Sequence, residues 1–147
     1  MKKNFMAEAI AQAKIAFEKD EVPVGAIIVE NNKIIARSHN NNLHLKDPTA
    51  HAEILALRQA SLIKNSSRLD NCDIYITLEP CVMCAAAISL ARIRRIYYAA
   101  SDEKFGAIEN GIKIFHSSSC YHKAEIYSGI CEEEAKEILR KFFKSKR

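Results

Sequence analysis

Two short stretches, DPTAHAE at residues 47–53 and TLEPCVMC at 77–84, constrain this chain more than anything else in it. Cys81 and Cys84 stand three apart at the start of a predicted helix, so their sulfurs share one face of its first turn. Cys-x-x-Cys is a common grip on zinc, and a helix N-terminus favours the thiolate that a metal requires. A third donor is needed, and His51 opens another predicted helix whose N-terminus can point at the same spot. Glu53 lies two residues beyond His51, about 200° further round the helix. It therefore cannot approach the metal from the direction His51 uses. That placement suits a carboxylate acting on water on the substrate side. The rest of the chain has to bring these two stretches together.

Hydrophobic periodicity supplies the frame. Met6, Ile10, Ala13 and Phe17 recur at helical spacing, and VGAIIVE (24–30) and KIIARS (33–38) are β-rich runs separated by Asn31-Asn32, a two-residue hairpin turn. A polar, Asn-rich loop follows from Asn40 to Asp47, then a helix over 50–63, with Asp47 or Thr49 as its cap and Pro48 as an early helical residue. CDIYITL (72–78) predicts a buried strand, with Pro80 then taking the first-turn position of the helix that follows. That helix, CVMCAAAISLA (81–91), is apolar nearly all round and expected to be buried. RRIYYAA (94–100) and the weaker AEIY (124–127) predict strands, and CEEEAKEILRKFFKSK (131–146) a closing helix. Residues 101–123 are too long for a hairpin; they can hold a crossover helix and let the last two strands run parallel. The order predicts an α/β fold, a three-layer α-β-α arrangement with a five-stranded mixed sheet and helices on both faces. At 147 residues the chain is long enough to bury a full core as one domain over 1–147.

Composition narrows the chemistry. Five cysteines is an odd number, and the N-terminus lacks the apolar run of an export signal, so a disulfide framework is not expected. No apolar stretch approaches the ~18 residues of a membrane span, and a cytoplasmic protein is the expectation. A redox cysteine pair normally opens the helix after the first strand of a βαβ unit, which this pair does not. A closed structural zinc site needs a fourth ligand. Cys72 begins the strand that leads toward Cys81 and so sits roughly 20 Å away at ~3.3 Å per residue. Spacing does not decide against Cys120 or Cys131, though each is isolated and reads as packing. His39, His44, His116 and His122 belong to no paired motif. Three protein ligands leave a position open for water, as in a catalytic zinc site, where the pKa of water falls from ~15.7 to ~7. Net charge is 22 − 18 = +4, and the last eight residues, RKFFKSKR, hold five basic side chains. These read either as a solvated helix end that suits the helix dipole or as a contact for RNA.

His-x-Glu followed by Pro-Cys-x-x-Cys is a signature of zinc-dependent nucleobase deaminases. VPVGA (22–26), Asn40, DPTAHAE (47–53), ALRQA (56–60), TLEPCVMCA (77–85) and ARIRRI (91–96) resemble the bacterial tRNA-specific adenosine deaminases in order and spacing. So do Asp102, Lys104, Gly106-Ala107, His122 and the closing helix with Phe142-Phe143. The resemblance implies a cytidine-deaminase-like fold and conversion of adenosine to inosine at the wobble position of a tRNA anticodon, typically in an arginine tRNA. It assigns one Zn2+ per subunit to His51, Cys81 and Cys84, hydroxide attack at carbon 6 of the purine, and proton shuttling to Glu53. It further gives Asn40 a hydrogen bond to the purine and Asp102 a contact with the ribose or backbone near a flipped nucleotide. A homodimer is implied as well. One region departs from that family: IENGIKIF (108–115) stands where a small-residue run is usual, and Phe105 where a small or polar residue is usual. This stretch is expected beside the RNA, where Phe105 offers a face for stacking. Two other readings stand beside this one. One is a deaminase of a free base or nucleoside such as guanine, cytosine or cytidine. The other is a zinc-stabilised RNA-binding module, in which Glu53 has no use.

Overall fold

The computed structural model describes residues 2–146, apart from the Lys3 side chain; Arg147 of the basic tail lies outside the described residues. In chain order the elements are α1 (Lys2–Glu18), β1 (Gly25–Glu30), β2 (Lys33–His39), α2 (Asn42–Leu45), α3 (Ala52–Lys64) and β3 (Cys72–Leu78). Then come α4 (Val82–Leu90), β4 (Arg95–Ala100), a single 3-10 turn (Ile114–His116), β5 (Glu125–Ser128) and α5 (Glu132–Ser145). The sheet runs β2-β1-β3-β4-β5. β1 is antiparallel to both β2 and β3, whereas β3, β4 and β5 are mutually parallel neighbours. The mixed five-stranded sheet expected from the pattern is therefore found.

The pleat explains the layers. Ile74 and Ile76 of β3 and Ile96 and Tyr98 of β4 join one core cluster with Ala52, Ala56 and Ala60 of α3 and Ala85 and Ile88 of α4. The alternate residues, Tyr75 and Tyr97, join the opposite cluster with Met6, Ala9 and Ile10 of α1 and Ala135 of α5. Alanines on the inner faces of α3 and α4 let both helices lie close to the sheet. Each fully buried isoleucine contributes roughly 1.5–3 kcal/mol, and Ile76→Ala, at the centre, costs about 2–5 kcal/mol. The β1–β2 hairpin turns through Asn31 (φ 51°) and Asn32 (φ 61°), the left-handed pair that a primed two-residue turn requires.

Four local expectations are corrected. The Asn-rich loop contains the one-turn helix α2. It is held from outside by Glu21, whose carboxylate accepts the Leu43 N–H (3.1 Å), the His44 N–H (2.9 Å) and His44 Nδ1 (2.7 Å). Next, α3 begins later than the Asp-Pro-Thr cap implied: His51 is the extended N-cap residue, and Asp47 accepts the Thr49 N–H (2.9 Å) and hydroxyl (2.7 Å) in a turn before it. Likewise Cys81 is the N-cap of α4, which places Pro80 before the helix rather than within it, and Val82 and Leu90 are exposed. Finally, no α-helix occupies 101–123 among the described residues; the parallel crossover is irregular chain with one 3-10 turn.

Candidate metal centre and substrate cleft

The parallel strand β3 delivers Cys81 three residues beyond its end, and the N-terminus of α3 delivers His51 to the same place. His51 Nδ1 lies 3.7 Å from Cys81 Sγ and 3.4 Å from Cys84 Sγ. The three ligand atoms all fall within 4.8 Å of one another. A tetrahedral zinc with Zn–S of about 2.3 Å and Zn–N of about 2.0–2.1 Å needs nitrogen and sulfur about 3.6 Å apart, which these separations bracket. Protonation tells the same story. Hydrogen bonding from Cys84, with help from His51, pulls the Cys81 thiol down to about 4. Cys84, donating to Cys81 and buried, is pushed up, and contact with Cys81 raises His51. A divalent cation displaces the protons that these donors otherwise share. The donor set fits zinc.

Glu53 sits in the first turn of α3 and is 3% exposed. Burial pushes its carboxyl up to about 7, and its Oε1 has no hydrogen-bond partner among the described residues. An unpaired buried carboxylate oxygen is costly, and this one lies two residues from His51 of the metal-type donor set. Above it opens a cleft of about 940 Å³ lined by His51, Glu53, Cys81, Asn40, Asp102 and Phe105, among others. Of the six site residues expected from the sequence, Asn40, His51, Glu53, Cys81 and Asp102 line this cleft, and the buried Cys84 joins His51 and Cys81 in the donor cluster.

Asn40 and Asp102 have structural work as well. Asn40 Oδ1 accepts the Ala52 N–H at 2.8 Å, so it completes the start of α3 from outside the helix. One lone pair of its amide oxygen is thus engaged by the backbone. Asp102 Oδ1 accepts the N–H groups of Lys104 (3.1 Å) and Phe105 (3.0 Å), fixing the turn of the cleft wall. Sequence reasoning gave no role to Glu79, which is 2% exposed directly before Pro80 and Cys81. Its carboxylate accepts the N–H groups of Asp102, Ile108, Glu109 and Asn110 (2.9–3.1 Å) and the Asn110 side-chain amide (2.7 Å). Burial alone would push this carboxyl up; these donors, Asp102 first among them, hold it below its ordinary 4.5.

The sequence matches the MafB19-like deaminase family over residues 1–147. A tRNA-specific adenosine deaminase from Agrobacterium fabrum is 51% identical over 144 residues, covering 98% of this chain and 95% of its own. The chain belongs to the tRNA-specific adenosine deaminase family. Another member, from Aquifex aeolicus, is 44% identical over 146 residues, 99% of this chain and 96% of its own. A solved structure studied for A-to-I editing by tRNA deaminases at the wobble position superposes with a TM-score of 0.91 at 51% identity, covering 92% of this chain and 99% of that one. Guanine deaminase from Nitrosomonas europaea, at 22% identity and a TM-score of 0.83 over 95% of this chain, shares the fold.

Around the deaminase site, two further features bear on a polyanionic substrate. Lys136, Arg140 and Lys144 of α5 line a groove of about 600 Å³ that shares Ser101, Lys136, Leu139 and Phe143 with the main cleft. Lys136 and Arg140 also pair along α5 with Glu132 (3.3 Å) and Glu137 (3.4 Å), and Lys146 pairs with Asp20 and lies over the Phe142 ring, tying the end of α5 to the end of α1. Also lining the main cleft, Phe105 is 65% exposed, with Lys104 Nζ 5.1 Å from its ring centre. Phe115 is core, and His122 binds Ser89 of α4 through its backbone, away from the cleft lining.

Proposed function

We propose that this chain hydrolyses the wobble adenosine of a tRNA anticodon to inosine, with His51, Cys81 and Cys84 holding one zinc ion per subunit and Glu53 carrying the protons. The observation that carries this reading is a zinc-spaced donor trio on the floor of an open cleft, beside a buried carboxylate with an unpaired oxygen. The chemistry that zinc supplies when bound is to lower the pKa of water to about 7. A nearby dication favours the ionised carboxylate, so Glu53 waits as a base. It takes a proton from the attacking water and gives it to the adjacent ring nitrogen as the new C–O bond forms at carbon 6. It then relays the second water proton to the departing amine, and ammonia leaves. Asn40 donates its Nδ2 amide to the purine, and the second oxygen of Asp102 accepts from the ribose beside it.

Other parts of the surface support finer statements. The basic face of α5 suits the phosphates of an anticodon stem-loop, here assigned to an arginine tRNA. Val82 and Leu90 of α4 and Leu62 and Ile63 of α3 are exposed. A groove of about 740 Å³ between these helices supports a homodimer through this face. No helix among the described residues is long and apolar enough to cross a membrane; a tRNA substrate supports assigning the enzyme to the cytoplasm. The test offers purified protein an arginine anticodon stem-loop alongside free adenosine, guanine and cytidine. Inosine should form in the stem-loop and weaken with added salt. Product confined to free bases or nucleosides would replace the tRNA reading with the alternative one.

A further inference from the structure

We propose that Glu79 is the positioning residue that sets the RNA-facing wall of the cleft. The assignment rests on the deaminase reading of the cleft. The segment 102–110 has no helix or strand of its own beyond an isolated bridge between Gly106 and Cys81, with the Ala107 N–H bonded to the Pro80 carbonyl at 3.0 Å. Asp102 Oδ1 closes the turn at Lys104 and Phe105, and the Glu79 carboxylate gathers the two ends of the segment. Four backbone N–H groups and one side-chain amide converge on Glu79, and all five donors are neutral, so the buried charge is answered by dipoles and not by a cation. Gly106 makes this wrapping feasible: a Cβ there would stand 2.5 Å from Glu79 Cδ and 2.4 Å from the Asp102 carbonyl.

The wall so fixed is the one that substrate meets. Asp102, whose N–H is held by Glu79 Oε1, lines the cleft together with Lys104 and Phe105. Phe105 exposes its ring with a lysine over it, a surface on which a base flanking the target can stack. Glu79 is itself among the cleft's lining residues, but both of its oxygens accept hydrogen bonds from the loop. Its influence on substrate therefore passes through the placement of Lys104 and Phe105. His51 and Cys84 are set by the N-termini of α3 and α4, while Cys81 also shares a bridge with Gly106 of this loop.

Glu79→Gln puts an amide NH2 where backbone N–H groups now point. The expected results are faster amide exchange at Ile108–Asn110, a KM for the stem-loop about tenfold higher, kcat within about twofold and one zinc per chain, as loss of a charge-assisted hydrogen bond predicts. Asn110→Ala, which removes a single donor and leaves the buried carboxylate in place, should move KM the same way by a few-fold, about threefold. It decides the matter should Glu79→Gln fail to fold. An unchanged KM in Asn110→Ala, or a joint loss of kcat and zinc in Glu79→Gln, would overturn the assignment. Amide exchange and stem-loop affinity read the wall independently of turnover. A wild type that binds but does not deaminate would therefore count against the functional reading alone.

Discussion

Glu53 and Glu79 are the same residue type, almost equally buried at 3% and 2% exposure, at the same end of the sheet, and they behave oppositely. Glu53 keeps an oxygen without a partner, and burial pushes it up to about 7. Glu79 is surrounded by five N–H donors that outweigh burial and hold it below 4.5. The difference teaches that burial does not decide what a carboxylate does; the supply of donors does. One region, the first turn of α3, leaves a carboxylate oxygen without a donor, as the proposed proton carrier requires. The other, the loop after β4, supplies them in excess and obtains a fixed wall.

Substitution of each glutamate sharpens the contrast. Glu53→Gln should lower kcat by roughly 10²–10⁴-fold, the usual worth of a general acid–base group, while zinc content and stem-loop affinity stay at wild-type levels. Single-turnover inosine formation with parallel metal analysis measures this, and an unimpaired kcat would break the contrast outright. Glu79→Gln should instead cost about 2 kcal/mol of folding stability in a denaturant titration, while Glu53→Gln costs nothing or stabilises the zinc-free chain. Equal destabilisation by both would mean that the donor count does not matter.

The two should also leave opposite pH signatures in zinc-free protein. Folded Glu53 binds its proton more tightly than the unfolded chain does, so the wild type should fall progressively behind Glu53→Gln as pH rises from 4.5 to about 7. Folded Glu79 binds its proton less tightly, so its advantage over Glu79→Gln should be complete above 4.5 and vanish as pH falls through its depressed folded value. Melting temperatures of the three proteins across that range test both signs. The smallest effect belongs to the far end of β3. Cys72, pushed up to about 11 by burial and by Glu30 beside it, is an inert packing thiol. Cys72→Ala should cost about 1 kcal/mol in the same melts and leave zinc binding intact, unlike loss of Cys81 from the other end.

How much of this was legible in the sequence divides along the same line. The strands, the hairpin turn at Asn31-Asn32 and the meeting of His51, Cys81 and Cys84 follow from periodicity, turn chemistry and ligand spacing, all of them local signals. The misplaced pieces are held by partners distant in sequence. Helix α2 is too short to show a period, and its N–H groups are satisfied by Glu21, more than twenty residues earlier. The start of α3 is completed by Asn40, so the Asp-Pro-Thr cap signal served a turn instead. Within segment 101–123, the N–H groups of Asp102, Ile108, Glu109 and Asn110 go to Glu79, more than twenty residues earlier, rather than to a helix. The apolar circumference of α4 implied burial on all sides, yet Val82 and Leu90 remain exposed in the single chain.

The most direct measurement is the zinc content of purified protein, wild type beside Cys84→Ala, read with inosine formation in the stem-loop. The account predicts one zinc per wild-type chain with turnover, and loss of both in Cys84→Ala. A wild type that deaminates the stem-loop without zinc, or a Cys84→Ala protein that keeps its metal and its rate, would contradict it.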